Sequence, residues 1–278
     1  MMQKVPTLEP MVPAGREPRM RLRFLALIER NFALIKRYFA WEVVFIFYNI
    51  VNALCIGFIG VTQGKSHVMY LVIGALVWGF LSLLFHELAE QVQWERWEGT
   101  IEYSFMAPMH RLVYLLGNCF YAIVYGVFRS ALLLGALVLF LGLSLKGANI
   151  LGALVVLVVS GLSFIGMGLV AAILPVLSTE RGAQAAHIFQ AVILLVSGVY
   201  YEVDVLPKWL QPVSVISPAT YTLRSIRAAL LEGATFAELL PNILILAGIG
   251  VVLIPLGFTV FSLAERWAKR KGKLKRNG

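Results

Sequence analysis

The seven residues Gly60-Val-Thr-Gln-Gly-Lys-Ser66 end in the Gly-Lys-Ser that closes a phosphate-binding P-loop, and they are the first place where this chain holds residues for chemistry. A P-loop wraps phosphates with consecutive backbone N–H groups, so it needs four residues between its glycines, a buried strand before it and a helix after it. Only three residues separate Gly60 from Gly64, Ile59 stands where the first glycine belongs, and both flanks are long apolar runs. The spacing predicts a short polar turn between two membrane helices. His67, His86, His110 and His187 fall at separate connections without metal-ligand spacing, and no serine, histidine and acid form a triad pattern. Cys55 and Cys119 both lie in apolar runs and suggest neither a disulfide framework nor a thiolate metal site. No catalytic, cofactor-binding or metal-binding residue is expected. What remains is Arg129, a formal charge deep within an apolar run, where an ionisable group is a functional-site hypothesis by default. It has two readings: contact with an anionic group of a substrate, or structural pairing with an acid such as Glu202 or Asp204.

The elements that must hold these residues are those of a membrane protein. Of 278 residues 59% are hydrophobic and only 14% charged, whereas a soluble domain of this length needs roughly a quarter charged residues to cover its surface. The net charge of +9 comes from basic residues at the two ends of the chain, where they would flank a bilayer, so membrane topology accounts for it better than nucleic acid does. No cleavable signal peptide is expected, and the first span acts as its own insertion signal. Six apolar runs approach the ~20 residues that a helix needs to cross a ~30 Å hydrocarbon core. They are Val43 to Val61, Val68 to Phe85, Leu112 to Leu143, Ile150 to Leu177, His187 to Tyr201 and Asn242 to Leu263. The third and fourth exceed a perpendicular span, the fifth is short, and Pro255 is expected to kink the sixth. With six spans, the side of the termini carries eighteen Lys and Arg against five on the other. Positive-inside then places both termini in the cytoplasm and Gly60 to Ser66 outside, where there is no ATP to bind.

Three further segments are neither simple spans nor loops. Residues 21–40 have helical periodicity, with Leu25, Ile28, Phe32, Ile35 and Phe39 on one face and Arg23, Arg30 and Arg37 on the other. That pattern describes a helix lying in the membrane interface, or one packed on a cytoplasmic partner. Between the second and third spans, Trp94, Trp97, Ile101 and Phe105 make one strip of a helix, Glu95, Glu98 and Glu102 make the next, and Pro108 ends it. Its five glutamates suit a positively charged partner surface or simple solvation on lipid headgroups. In the outer connection, Ser217-Pro218 predicts an N-cap and first helical position and Gly233 a C-terminal stop. The enclosed helix of about fifteen residues is too short to cross and too apolar to be solvated, which predicts a half-inserted or re-entrant element. Tyr200, Tyr201, Trp209 and Tyr221 near it read as substrate-stacking aromatics or as the ordinary aromatic belt. Gly166, Gly168 and Ala172 read as helix-packing residues, and the basic tail as an orientation signal touching anionic lipid.

The run Glu95-Arg96-Trp97-Glu98-Gly99-Thr100-Ile101-Glu102 with Pro108, followed by an outer segment carrying Leu206-Pro207, Ser217-Pro218, Arg227 and Glu232-Gly233, resembles the permease subunits of type-2 ATP-binding-cassette (ABC) exporters of drugs and polysaccharides. The resemblance covers nearly the whole chain. It implies an all-α membrane protein organised as a flexible tail over 1–20, an interfacial helix over 21–40, a six-helix transmembrane domain over 41–265 and a basic cytoplasmic tail over 266–278. Within the domain it implies a coupling helix at about 88–108 and outer re-entrant helices at about 202–240. Glu95, Glu98, Gly99, Thr100 and Glu102 would then dock on a separate cytoplasmic ATPase that binds ATP and Mg. Arg23, Arg30 and Arg37 would belong to the gate helix, and Arg129, Tyr200, Tyr201 and Arg227 to the translocation path or gate. The implied partners are that ATPase, a second permease copy meeting this one along the first, second and fifth spans, and lipid; no nucleic acid is implied. The implied location is a prokaryotic cytoplasmic membrane, and the implied cargo a small amphiphile, drug-like or lipid. Export of a lipid-linked polysaccharide is an alternative, and so is an ATP-independent secondary transporter or channel. That last class calls for several paired intramembrane charges or repeat helices, where this chain shows one arginine and no repeat.

Overall fold

The computed structural model describes residues 20–62, 64–98, 111–174 and 182–270, with side chains of 89–116 outside what is described. Among the described residues nine α-helices form in order: α1 Met20–Arg37, α2 Phe39–Val61, α3 Lys65–Glu98, α4 Arg111–Leu141, α5 Ile150–Ala171, α6 Gly182–Val196, α7 Gln211–Ile216, α8 Pro218–Leu231 and α9 Phe236–Arg270. A single 3₁₀ turn, Val203–Val205, lies between α6 and α7. Among the described residues there is no strand, as expected where backbone polar groups must be satisfied within each segment.

Among the described residues five helices are long and apolar enough to cross a bilayer: α2, α3, α4, α5 and α9. Where the short fifth span, His187 to Tyr201, is predicted, the structure has an apolar helix: α6 ends at Val196, and its 15 residues reach about 22 Å at 1.5 Å per residue. Of the fourth apolar run, Ile150–Ala171 forms α5, and 175–177 lie outside the described residues. At its start, the Asn149 side chain accepts the Gly152 N–H and caps the helix.

Neighbouring side chains fix the chain directions. Phe85 meets Phe189 and Gly74 meets Val199, so α6 runs antiparallel to α3. Gly57 faces Leu141 while Glu42 faces Tyr125, so α2 runs alongside α4 in the same sense. The connections 62–64, 142–149 and 197–235 therefore gather at one end of the bundle, and α1 and the end of α9 lie at the other. The predicted polar turn at Gly60 to Ser66 is present. Gly60 packs on the Val68 backbone, Gly64 takes a φ of 111°, and Lys65 and Ser66 open α3 with no strand before them.

The hub is α3, whose apolar window is 72% buried against 17% for α2. Phe80, Leu81 and Leu84 on α3 and Phe164 on α5 sit fully inside, so α2 faces mainly outward. The second rigid unit is the parallel pair α5 and α9. Gly166 admits Leu253, Gly250 admits Leu162 and Gly257 admits Leu169, and Ser163 Oγ donates to the Leu246 carbonyl at 2.5 Å. Small residues let the two backbones approach where lipid supplies no hydrophobic drive between helices. Gly168 instead receives Leu88 of α3, and Ala172 is buried beside it. Pro241 and Pro255 both lie inside α9, which continues as one helix through each. Thr259 Oγ1 bonds the Pro255 carbonyl at 2.7 Å, one way a membrane helix accommodates proline.

A methyl group at Gly166 would overlap Leu253, whereas one at Gly248 meets nothing within 4 Å. Gly166→Ala should therefore lower stability by about 1–3 kcal/mol through overpacking. Gly248→Ala should leave it unchanged or raise it slightly, because alanine is the better helix former. Thermal unfolding of the two variants in mild detergent checks the contrast.

Candidate functional site

At the end of the bundle carrying the longest connection, the chain breaks helix repeatedly between Val196 and Phe236. Each break frees backbone groups that need partners in apolar surroundings. Gln211 Nε2 donates to the Asp204 and Leu206 carbonyls at 3.3 and 2.9 Å, and Arg227, on α8, meets two others. Its Nη1 donates to the Gly198 carbonyl at 3.1 Å, its Nη2 donates to the Val199 carbonyl at 2.7 Å, and Nη2 lies 3.5 Å from the Tyr70 carbonyl. The guanidinium carbon stands 3.5 Å from the centre of the Tyr70 ring, a cation–π contact. Burial draws the guanidinium pKa down to about 10, opposed by Tyr70 and Glu202, so it stays charged at neutral pH. The α6–α7 turn is thereby tied to α3 and α8 at one point. Gly74 completes the contact, since any side chain there would strike the Val199 carbonyl.

A second tie lies on the opposite side of α8. The Asn149 N–H donates to the Ala229 carbonyl at 2.8 Å, and Asn149 Nδ2 donates to the Ala234 carbonyl at 2.8 Å. One residue thus caps α5 and holds the end of α8. Gly147 and Gly233, with φ of 84° and 65°, touch backbone to backbone there, so the predicted stop at Gly233 is met in a conformation that L side chains rarely adopt. Pro218 opens α8 and Ser217 holds the predicted N-cap position with extended backbone, but its side chain does not do the capping. Its Oγ makes no cap bond and instead pairs with Ser197 Oγ at 2.7 Å, because α6 presents a buried hydroxyl within reach.

The outer aromatics divide. Tyr200 is half-buried against the core, and the Tyr201 hydroxyl donates to the Leu195 carbonyl. Burial raises both phenol pKa values. The Tyr221 hydroxyl bonds the Val215 carbonyl at 2.8 Å, and Trp209 is exposed. Tyr70, which only the folded chain brings to Arg227, was not singled out by its sequence neighbourhood.

Arg129 lies elsewhere. It lines a small recess with Ile46, Asn49 and Ile50 of α2, and its guanidinium is 6.0 Å from the Tyr125 ring centre. The Tyr125 hydroxyl donates to Glu42, and Tyr125 stacks on Tyr121 at 5.7 Å. The suggested pairing with Glu202 or Asp204 is not formed. Both acids belong to the 197–205 turn and line a pocket with Arg227.

At the other end of the bundle, α1 stops at Arg37, and Phe39, assigned to the interfacial helix by periodicity, begins α2 instead. The contact holding α1 is polar. Buried Asn31 donates through Nδ2 to Asn118 Oδ1 at 3.3 Å, and Phe32 meets Tyr121 edge-on at 5.9 Å. Arg30 and Arg37 are exposed, and Arg23 lies in the first turn of α1 with its side chain outside the described residues. The coupling segment begins differently from the separate helix placed at 88–108: α3 runs unbroken to Glu98. Glu95 and Glu98 lie on that extension, while Gly99, Thr100 and Glu102 fall outside the described residues, as do 1–19 and 271–278.

The family model described as ABC-2 type transporter matches residues 23–231, a stretch that runs from α1 through the end of α8. The chain belongs to the ABC-2 type transporter membrane family. It is a multi-pass helical permease component of the ABC system, and the family is not one of ATPases. A comparison with curated proteins gave no match.

Arg227→Gln should remove the charge-assisted bonds to Gly198 and Val199. At about 1.5–3 kcal/mol for a hydrogen bond to a charged group, the unfolding temperature in detergent should fall by roughly 5–10 °C. Arg227→Lys, which keeps the charge but lacks the fork, should fall between the two. An unshifted Arg227→Gln transition would remove the tie from the account.

Proposed function

We propose that this ABC-2 permease is the membrane subunit of an ATP-driven exporter, moving a small amphiphilic, drug-like or lipid substrate out of the cytoplasm or inner leaflet of a prokaryotic cytoplasmic membrane. ATP and Mg are bound by a separate cytoplasmic ATPase. The observation that carries the reading is α3. Its apolar window ends at Phe85, yet the helix continues thirteen residues to Glu98, about 20 Å beyond the core. A continuous helix is a stiff arm. It supports a mechanism in which Glu95 and Glu98, with Gly99, Thr100 and Glu102 beyond them, dock on the ATPase and pass its closure to the most buried helix of the bundle.

Six passes with both termini cytoplasmic follow from counting α6 as a crossing, which the short helix permits where the bilayer thins locally. Two copies form the working unit. The outward face of α2, with Phe47, Tyr48, Val51 and Phe58 exposed, supports a surface given to lipid or to the second copy. The arginines of α1, Arg23, Arg30 and Arg37, hold the gate helix against phosphates, and its Asn31–Asn118 bond makes gate and third span move together.

Purification of the tagged chain from native membranes in mild detergent should bring down a stoichiometric ATPase subunit. A Glu98→Arg, Gly99→Trp double variant should still purify as a folded dimer but with the ATPase reduced at least tenfold. Absence of an ATPase from a preparation that retains the dimer would sink the exporter reading.

A further inference from the structure

The Arg227 end of the bundle holds two joined recesses between α2, α3, the 197–205 turn and α8. The larger encloses about 730 Å³, with walls that include Ile56, Ile59, Leu71, Val205 and Tyr200. That volume lies in the range of sites that take drug-sized molecules, roughly 300–1,000 Å³. The smaller encloses about 280 Å³ and is polar, drawing carboxylates from Glu202, Asp204 and Glu232 and guanidiniums from Arg224 and Arg227. Tyr70, Tyr201 and Glu202 line both recesses, so the Glu202 carboxylate borders the apolar one as well as the polar one.

The charge balance of the polar recess decides what it favours. Arg227 keeps its charge while its Nη donors are engaged by the Gly198 and Val199 carbonyls and its face by the Tyr70 ring, so three carboxylates meet two guanidiniums, an excess of one negative charge. Glu202 and Asp204 are exposed. Glu202 also lies at the junction with the apolar walls. A separate feature points into the same recess: Thr220 is 3% exposed, lines it, and its Oγ1 has no hydrogen-bond partner. A buried hydroxyl left so costs about 1–3 kcal/mol unless something in the recess meets it.

We propose that the joined recesses are a recognition site for an organic cation with an apolar body. The body lies against Ile56, Ile59, Leu71 and Val205, and the positive centre lies at Glu202 and Asp204 beside Tyr201. An anionic amphiphile of the same shape is disfavoured by the same carboxylates, through like-charge repulsion. The inference rests on the exporter reading and gives its substrate class a sign of charge.

The test is equilibrium binding to the full chain in nanodiscs of neutral phosphatidylcholine, without ATPase or nucleotide. The probes are tetraphenylphosphonium and tetraphenylborate, which match in shape and differ in charge, with partition into empty nanodiscs subtracted. The phosphonium should bind saturably and the borate should not. The E202Q/D204N double variant should weaken the phosphonium roughly tenfold or more, while Glu29→Gln on α1 should leave it unchanged. Val205→Trp, which fills the larger recess from an exposed position, should abolish saturable binding with the carboxylates intact. Equal binding of both probes, or a double variant with unchanged unfolding temperature and unchanged affinity, would overturn the proposal. ATPase co-purification is independent of this readout. Its failure would sink the exporter reading alone, and loss of charge selectivity beside a retained ATPase would sink the cation site alone.

Discussion

Helix breaks in apolar surroundings leave backbone carbonyls that must find donors, and in this chain side chains from elsewhere in the fold meet them, with Arg227 doing so at the turn after α6. The turn after α6 exposes the Gly198 and Val199 carbonyls, and Arg227 meets both while lying on the ring of Tyr70. A guanidinium can do this because its donors form a planar fork and its face is weakly hydrated. The consequences spread outward. The 197–205 turn is fastened to α3, α8 is set at a fixed distance from the α2–α3 hairpin, and the recess walls gain their shape. Glu202 is exposed in the same recess, and its charge favours the Arg227 guanidinium through space.

The opposite edge of the same cap is fastened by Asn149, which caps α5 and receives the end of α8 in one residue. Because α5 and α9 interlock through Gly166, Gly250 and Gly257, the cap belongs mechanically to that pair. The long α3 then joins the two ends of the protein. It touches Arg227 at Tyr70, fills the core at Phe80 and Leu84, and continues to Glu98. A displacement applied to the far end of such a helix has a continuous path to the cap. The Asn31–Asn118 pair places α1 on a neighbouring helix of the same bundle.

Much of this was legible in the amino-acid sequence, for identifiable reasons. Five of the six apolar runs reach at least eighteen residues, and each holds a long helix among the described residues; Asn242 to Leu263 does so in spite of Pro255. Pro218 and Gly233 carry conformational restrictions that act locally, so both ends of α8 were readable. What escaped was set by tertiary partners. Ser217 resembles a cap in every local respect and bonds Ser197 instead. Asn149 looks like a loop residue, and its two carbonyl partners lie at least eighty residues away. Phe39 fits the α1 periodicity, yet the chain turns at Tyr38. Arg129 was marked by its cost in a membrane, but its neighbours Tyr125 and Asn49 are uncharged and carry no signal of pairing.

The central claim is that Arg227 holds the outer cap rigidly to α3. The direct measurement is a pulsed-EPR distance distribution between spin labels at His67, on the first turn of α3, and Lys208, on the cap, both exposed. Cys55 and Cys119 are replaced first, and labelled chains are diluted with unlabelled copies so that only distances within one chain are read. The account predicts a single narrow distribution in the native background that broadens markedly with Arg227→Gln. A broad distribution in both, or a narrow one that the substitution leaves unchanged, would contradict it.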